Sequence, residues 1–153
     1  MEPAPASPHT AVMQTNTTAC GTPNPAPCLL RVFVVEDSPM IRERLVSLLS
    51  PVAGAQLVGF ADRSEDAINE IVKLRPDAVV LDLNLAHGTG VDVLRALQDA
   101  APEVAVYVLT NFANPQYKKL CLHLGARGFY DKSTEFEQVR DVIAARASQY
   151  VPN

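Results

Sequence analysis

Three carboxylates follow two short apolar runs of this 153-residue chain. Glu36 and Asp37 come directly after residues 32–35, and Asp82 follows residues 78–81. If the runs are parallel strands, their carboxyl ends meet at one edge of a sheet, where ligands bind in open α/β folds. Two like charges at about 4 Å repel by roughly 4 kcal/mol at an effective dielectric near 20. The three acids would therefore take up protons or recruit a cation, and their oxygens suit Mg²⁺.

The same sheet edge would also carry a hydroxyl and an ammonium group. Thr110 closes the apolar run 104–109, and Lys132 follows the short run 128–130. A cation and a lysine can neutralise the oxygens of a phosphoryl group, and a free carboxylate can be the nucleophile of aspartyl-phosphate chemistry. Each residue taken singly has a structural explanation as a cap, a solvated acid, a turn threonine or a surface lysine. Their joint position after successive runs favours a phosphoryl site.

Five apolar runs alternate with amphipathic segments and predict the elements that position these side chains. The runs are 32–35, 57–60, 78–81, 104–109 and 128–130. They are nearly continuous and rich in β-branched residues, as strands buried on both faces are. Between them, apolar residues recur at helical spacing, and Ser38-Pro39 and Asn114-Pro115 are typical helix starts. This alternation predicts an α/β fold with a parallel sheet and helices on both faces.

Composition restricts the class of protein. The formal net charge of −4 argues against nucleic-acid binding over the whole chain, because phosphate contacts need a basic surface. No stretch approaches the roughly 18 consecutive apolar residues of a transmembrane helix, and the first residues lack the pattern of a secretory signal, so we expect no membrane association. Cys20, Cys28 and Cys121 lack the spacing of a disulfide framework or a zinc site. We therefore expect reduced thiols and a cytoplasmic location.

The first 28 residues differ in composition from the rest. Residues 1–28 hold six of the twelve prolines, a single charged side chain and few large apolar side chains. So little apolar surface cannot offset the entropy of ordering the segment. We predict a disordered tail at 1–28, followed by one domain at 29–150.

Four segments resemble the response regulator receiver domain, the phosphoacceptor half of two-component signalling. The segments are VVEDSP at 34–39, PDAVVLDLNL at 76–85, VYVLTN at 106–111 and GARGFYDKS at 125–133. The resemblance implies a flavodoxin-like, doubly wound, five-stranded parallel sheet with strand order 2-1-3-4-5. Ser133 departs from many receivers, which have proline after the lysine. In this respect the chain resembles receivers fused to helix-turn-helix output domains, although we expect it to be a stand-alone receiver.

The resemblance also implies a role for each candidate site residue. Asp82 would be the phosphorylated residue, and Mg²⁺ would be the cofactor. The implied metal ligands are Glu36, Asp37, Asp82 and the backbone carbonyl of Asn84. Thr110 and Lys132 would be the switch hydroxyl and the phosphate-binding lysine. Phe129 would be the aromatic switch residue, which rotates inward on phosphorylation.

The implied activity is signalling rather than turnover of a substrate. A histidine kinase or a histidine phosphotransfer protein would donate the phosphoryl group, and the chain would catalyse its own phosphotransfer and slow dephosphorylation. A protein target would bind the face made by the fourth helix, fifth strand and fifth helix, where Tyr117, Lys118, Lys119 and Tyr130 are candidates. A homodimer through the same region stays open, and no direct contact with nucleic acid is expected. The alternative is a pseudo-receiver that binds partners without phosphorylation.

Overall fold

The computed structural model describes residues 29–150, which fold around a five-stranded parallel sheet with strand order β2-β1-β3-β4-β5. The strands of this region are β1 Leu30–Val35, β2 Ala55–Ala61, β3 Ala78–Leu81, β4 Ala105–Thr110 and β5 Gly128–Asp131. The helices are α1 Pro39–Leu49, α2 Ser64–Leu74, α3 Gly90–Ala100, α4 Pro115–His123 and α5 Gln138–Gln149. The predicted flavodoxin-like fold and strand order are confirmed.

The predicted helix starts carry the side-chain caps that their sequences indicate. The Ser38 side chain accepts a hydrogen bond from the backbone N–H of Ile41 at 3.3 Å, and a proline opens α1. The Asn114 side chain accepts one from Tyr117 at 2.8 Å, and a proline opens α4. Proline fits there because its missing N–H has no partner in the first turn of a helix. Both helices therefore begin directly after the loops that carry polar residues.

The start of α3 lies unusually close to the end of β3. The backbone N–H of Gly90 donates to the carbonyl of Leu83 at 2.9 Å. A Cβ atom on Gly90 would lie 2.8 Å from Leu83 Cα and would overlap the carbonyl of Asp82. Glycine is needed because any side chain would push α3 away from the loop that follows Asp82.

The sheet separates two apolar layers. On one face, α1 and α5 bury Leu45 and Ile143 against the strands. On the other face, α2, α3 and α4 bury Ile71, Leu94 and Cys121. Every residue of β3 and β4 is buried, as the continuous apolar runs predict. Helices on both faces leave the two ends of the sheet as the places where loops can form a site.

The prediction that every strand is buried on both faces is wrong for the two edge strands, β5, where only Phe129 is buried, and β2. This strand runs from Ala55 to Ala61 and is mostly half-buried. It lies at an edge of the sheet beside β1, and its pairing shifts register between Val32 and Phe33. Phe60 is 58% exposed because the edge position leaves part of the strand without a covering helix. The predicted tail at 1–28, with Cys20 and Cys28, lies outside the described residues.

None of the helices within residues 29–150 combines the length and the apolar character that crossing a membrane requires.

Candidate functional site

The sheet register brings the three predicted carboxylates together. Val35 at the end of β1 pairs with Leu81 at the end of β3, so the residues that follow them emerge side by side. Oxygen atoms of Glu36, Asp37 and Asp82 all lie within 4.8 Å of one another. Glu36 and Asp82 are buried, and Asp37 is half-buried.

Lys132 places its ammonium group between two of these carboxylates. Its Nζ lies 2.7 Å from Glu36 Oε1 and donates a hydrogen bond to Asp82 Oδ2 at 3.0 Å. The lysine side chain is 8% exposed, so solvent screens these ion pairs far less than pairs on the surface. The arrangement leaves three carboxylates facing one ammonium group, which gives the cluster an unbalanced negative charge.

Backbone amides orient the two buried carboxylates. Ser38 N–H donates to Glu36 Oε2 at 3.1 Å, and Asn84 N–H donates to Asp82 Oδ1 at 3.2 Å. The Asp82 backbone N–H donates to the carbonyl of Val35 at 3.0 Å, which ties the end of β3 to β1. Asp82 is therefore held from both sides, by the lysine through one oxygen and by an amide through the other.

The pKa of Glu36 is raised above the usual value of a glutamate. Burial is the largest cause, because it disfavours the charged form. The nearby Asp82 carboxylate raises this pKa further, whereas Lys132 and the Ser38 amide oppose the shift. Ionised Glu36 is therefore destabilised by burial and by the charge of Asp82, and a bound cation would offset this destabilisation.

These groups face a cavity of about 240 Å³ at the carboxyl edge of the sheet. Its lining residues are Glu36, Asp37, Ser38, Ile41, Asp82, Asn84, Asn111, Phe112 and Lys132. A carboxylate-rich oxygen donor set with room for water is what Mg²⁺ prefers, since the ion keeps several waters and takes one or two carboxylates. The residues present therefore fit the predicted metal, with Glu36, Asp37 and Asp82 as the groups that would hold it.

Thr110 lies beside the cavity rather than in its lining. Its side chain is fully buried, and Oγ1 accepts a hydrogen bond from the Phe112 backbone N–H at 3.1 Å. The backbone N–H of Lys132 donates to the carbonyl of Thr110 at 3.0 Å, so the ends of β4 and β5 are joined. Among the hydrogen bonds of residues 29–150, the Thr110 hydroxyl donates to no acceptor, so its hydrogen could be donated to a group bound next to it.

Phe129 lies in the core and not at the site. It pairs with Val108 across β4 and β5 and packs in the apolar layer on the α2–α3–α4 face. Its side chain is largely buried among these apolar residues.

The candidate output residues on α4 and β5 differ in exposure. Tyr117, Lys118 and Lys119 are exposed. Tyr130 is half-buried, because its ring lies over Gly128: a Cβ there would come within 2.9 Å of the tyrosine hydroxyl. Burial is the main cause that raises the pKa of Tyr130. The surface offered by this face is therefore provided by α4 more than by β5.

Arg42 contacts the site, although its residue type and position do not predict this. Arg42, in the first turn and a half of α1, donates from its guanidinium to the backbone carbonyl of Glu36 at 3.3 Å. It lies four residues after the helix cap Ser38, on a helix that begins at the candidate acids.

Comparisons with known proteins agree with this geometry. A family profile of the response regulator receiver domain matches residues 32–144. The transcriptional regulatory protein YvfU of Bacillus subtilis is 31% identical over 115 residues, 75% of this chain and 58% of that protein. A protein-glutamate methylesterase/protein-glutamine glutaminase of Syntrophus aciditrophicus is 31% identical over 118 residues, 76% of this chain and 34% of that protein. This chain therefore spans less than two thirds of the length of each of these two curated relatives.

A solved structure shares the same fold. The receiver domain of the putative response regulator NarL from Mycobacterium tuberculosis superimposes with a TM-score of 0.73 at 27% identity. The match covers 81% of this chain and all of that domain.

Proposed function

This chain belongs to the response regulator receiver family, and from that premise we propose that it accepts a phosphoryl group on Asp82. The donor would be a phosphohistidine of a histidine kinase or of a histidine phosphotransfer protein. The observation that carries the proposal is the setting of Asp82. One of its carboxylate oxygens accepts a hydrogen bond from Lys132, and the other accepts one from the backbone N–H of Asn84. Both oxygens lie beside a cavity that is rich in carboxylates.

In the proposed step, a carboxylate oxygen of Asp82 attacks the phosphorus in line with the donor bond. A new P–O bond forms, the P–N bond breaks, and its electron pair returns to the imidazole nitrogen of the donor. Lys132 already contacts Asp82 and stabilises negative charge on the transferring group. Mg²⁺ held by Glu36, Asp37 and Asp82, with the Asn84 carbonyl as a further proposed ligand, would supply the remaining charge neutralisation.

The switch residues of the proposal are Thr110 and Phe129. A phosphoryl group on Asp82 would accept the free hydroxyl hydrogen of Thr110, and this displaces the end of β4. Phe129 lies on the neighbouring strand, so its packing changes with that displacement. The change of charge at Asp82 thereby shifts the equilibrium between two arrangements of one surface. This surface is formed by α4, β5 and α5.

We further propose that the output is binding of a protein target at the α4–β5–α5 surface, in the cytoplasm. The exposed Tyr117, Lys118 and Lys119 support such a contact. A homodimer through this surface would bring two copies of the same residues together. The acidic net charge supports a protein partner in preference to direct contact with nucleic acid.

The proposal is tested by incubation with acetyl phosphate and Mg²⁺, with and without a chelator, followed by measurement of intact mass. We expect a single phosphoryl adduct that requires Mg²⁺ and is absent in Asp82→Asn. An adduct that persists in Asp82→Asn would place the modification on another residue. No adduct under any condition would overturn the proposal and favour a pseudo-receiver that binds partners without phosphorylation.

A further inference from the structure

Two arginines of α1 each stack on an aromatic ring. The guanidinium of Arg42 lies 4.4 Å from the ring centroid of Phe60, and that of Arg44 lies 4.0 Å from the ring centroid of Phe136. Among the described contacts, Arg42 differs because its Nη1 also donates to the backbone carbonyl of Glu36 at 3.3 Å. The two arginines thus share a helix and a type of contact, but one of them is bonded to the site.

The carbonyl that Arg42 contacts belongs to the peptide group that joins Glu36 to Asp37. The orientation of this peptide is set by ψ of Glu36 and φ of Asp37, and an uncompensated change in either angle moves the Asp37 carboxylate relative to that of Glu36. Two other hydrogen bonds flank this peptide: Glu36 N–H donates to the Ala61 carbonyl at 2.9 Å before it, and Ser38 N–H donates to the Glu36 carboxylate after it. Among the described contacts, the hydrogen bond from the Arg42 guanidinium is the one made to the Glu36–Asp37 peptide itself.

The guanidinium is in turn well placed to act as a fixed donor. Among the described residues, Arg42 has no carboxylate within ion-pair distance. Its plane lies over the ring of Phe60 at the end of β2, which limits the rotamers it can adopt. A donor held in this way loses little entropy when it bonds to the carbonyl.

We propose that Arg42 is a positioning residue for the metal site: by fixing the Glu36–Asp37 peptide, it sets the two carboxylates in the arrangement that binds Mg²⁺. The inference rests on the proposed function for its biological meaning, because Mg²⁺ is required there for phosphorylation. Partners in the outer shell of a metal site commonly contribute about tenfold or more to affinity.

The sign of the effect separates positioning from charge. Arg42 carries a positive charge near a cation site, so its removal should strengthen Mg²⁺ binding if only Coulomb repulsion mattered. Removal of a positioning contact should weaken binding. The proposal therefore predicts the opposite sign to the electrostatic effect of the same substitution.

The test is an NMR titration with MgCl₂ alone, at constant ionic strength, that follows backbone amides around the cavity in the full chain. Arg42→Ala should raise the Mg²⁺ concentration at half-saturation by roughly tenfold. Arg44→Ala is the matched control, since it removes a stacked guanidinium from the same helix without touching the site. Thermal unfolding of all variants measures the structural cost separately.

Each result decides for or against the positioning role. Weaker Mg²⁺ binding in Arg42→Ala, with the Mg²⁺ affinity of Arg44→Ala unchanged, supports it. Equal Mg²⁺ affinity in the two alanine variants, or tighter Mg²⁺ binding in Arg42→Ala, would overturn it. Because no phosphoryl donor is present, failure of the proposed function would appear only as an absent adduct in the mass measurement. In that measurement, excess Mg²⁺ should restore the rate at which Arg42→Ala forms the phosphoryl adduct, since the defect lies in binding the ion.

Discussion

Two cavities of similar size lie at opposite ends of the parallel strands, called here the carboxyl edge and the amino edge of the sheet. The cavity at the carboxyl edge has about 240 Å³ and is lined by three carboxylates and a lysine. The other cavity has about 190 Å³ and lies at the amino edge of β4, between the ends of α3 and α4. Its lining residues are Leu94, Leu97, Gln98, Ala101, Pro102, Val104, Val106, Leu124 and Gly125, none of them charged.

The two cavities have similar volumes, so the chemistry of the lining residues, and not the volume, distinguishes the candidate site from the other cavity. At the carboxyl edge, each strand ends on polar residues, and the loops bring them into one place. At the amino edge, the residues that line the cavity from the loops that enter β4 and β5 are small or apolar, whereas the charged Glu103 and Arg127 of these loops do not line it. The carboxylates around the first cavity therefore repel one another, whereas the second cavity is a gap in apolar packing. Shortening or neutralising a side chain should have opposite effects on stability at the two edges.

The largest effect is expected for Leu97→Ala at the amino-edge cavity. Leu97 is buried, and the substitution enlarges a space that is already present, so the free energy of unfolding should fall by about 3 kcal/mol. The phosphoryl adduct formed with acetyl phosphate should be unchanged. Urea unfolding followed by circular dichroism measures the first quantity, and intact mass measures the second. Loss of the adduct in a folded variant would show that the two edges are coupled.

A smaller effect of opposite sign is expected for Asp37→Asn at the carboxyl edge. The substitution removes one of three mutually repelling carboxylates and keeps the side-chain shape, so the metal-free protein should gain about 1 kcal/mol. Excess Mg²⁺ should stabilise the unsubstituted protein more than the variant. Thermal unfolding with a chelator and with Mg²⁺ tests both statements. A less stable metal-free variant would contradict the repulsion assigned to this cavity.

The smallest effect is a dependence on pH that arises from Glu36. Its pKa is raised in the folded chain, mainly by burial, so between the ordinary value of 4.5 and the folded value the folded state binds more protons than the unfolded state. The stability that protonated Glu36 contributes is therefore present below pH 4.5 and is lost as the pH rises through the folded pKa. Relative to Glu36→Gln, the metal-free protein should lose stability over this range. A relative gain on raising the pH would mean that Lys132 outweighs burial.

The fold was largely predictable because its signals are local. Continuous apolar runs at 78–81 and 104–109 became the fully buried β3 and β4. Asn114 capped its helix as its position before a proline predicts. The edge character of β2 was not predictable from its run, since an apolar segment looks the same whether one or both faces are covered.

The residues that form the candidate site could be predicted from the sequence, but the contacts between their side chains could not. The positions of Glu36, Asp37, Asp82 and Lys132 after successive strands were enough to predict one cluster. The contact of Lys132 with Glu36, which is shorter than its contact with Asp82, depends on side-chain geometry that spacing does not contain. The bond from Arg42 to a backbone carbonyl leaves no trace in residue type. Roles such as phosphorylation of Asp82 stay predictions until they are measured.

The pairing of α1 and α5 on one face of the sheet has a consequence for synthesis of the protein on the ribosome. Within residues 29–150, the first helix to be synthesised, with Leu45, and the last, with Ile143, cover the same apolar layer. Until residues 138–149 leave the ribosome, part of that layer, including Tyr107 and Leu109 of β4, has no complete cover. Folding intermediates with exposed apolar surface are prone to aggregate. Nascent chains that stall before α5 should therefore be the ones that depend most on chaperones.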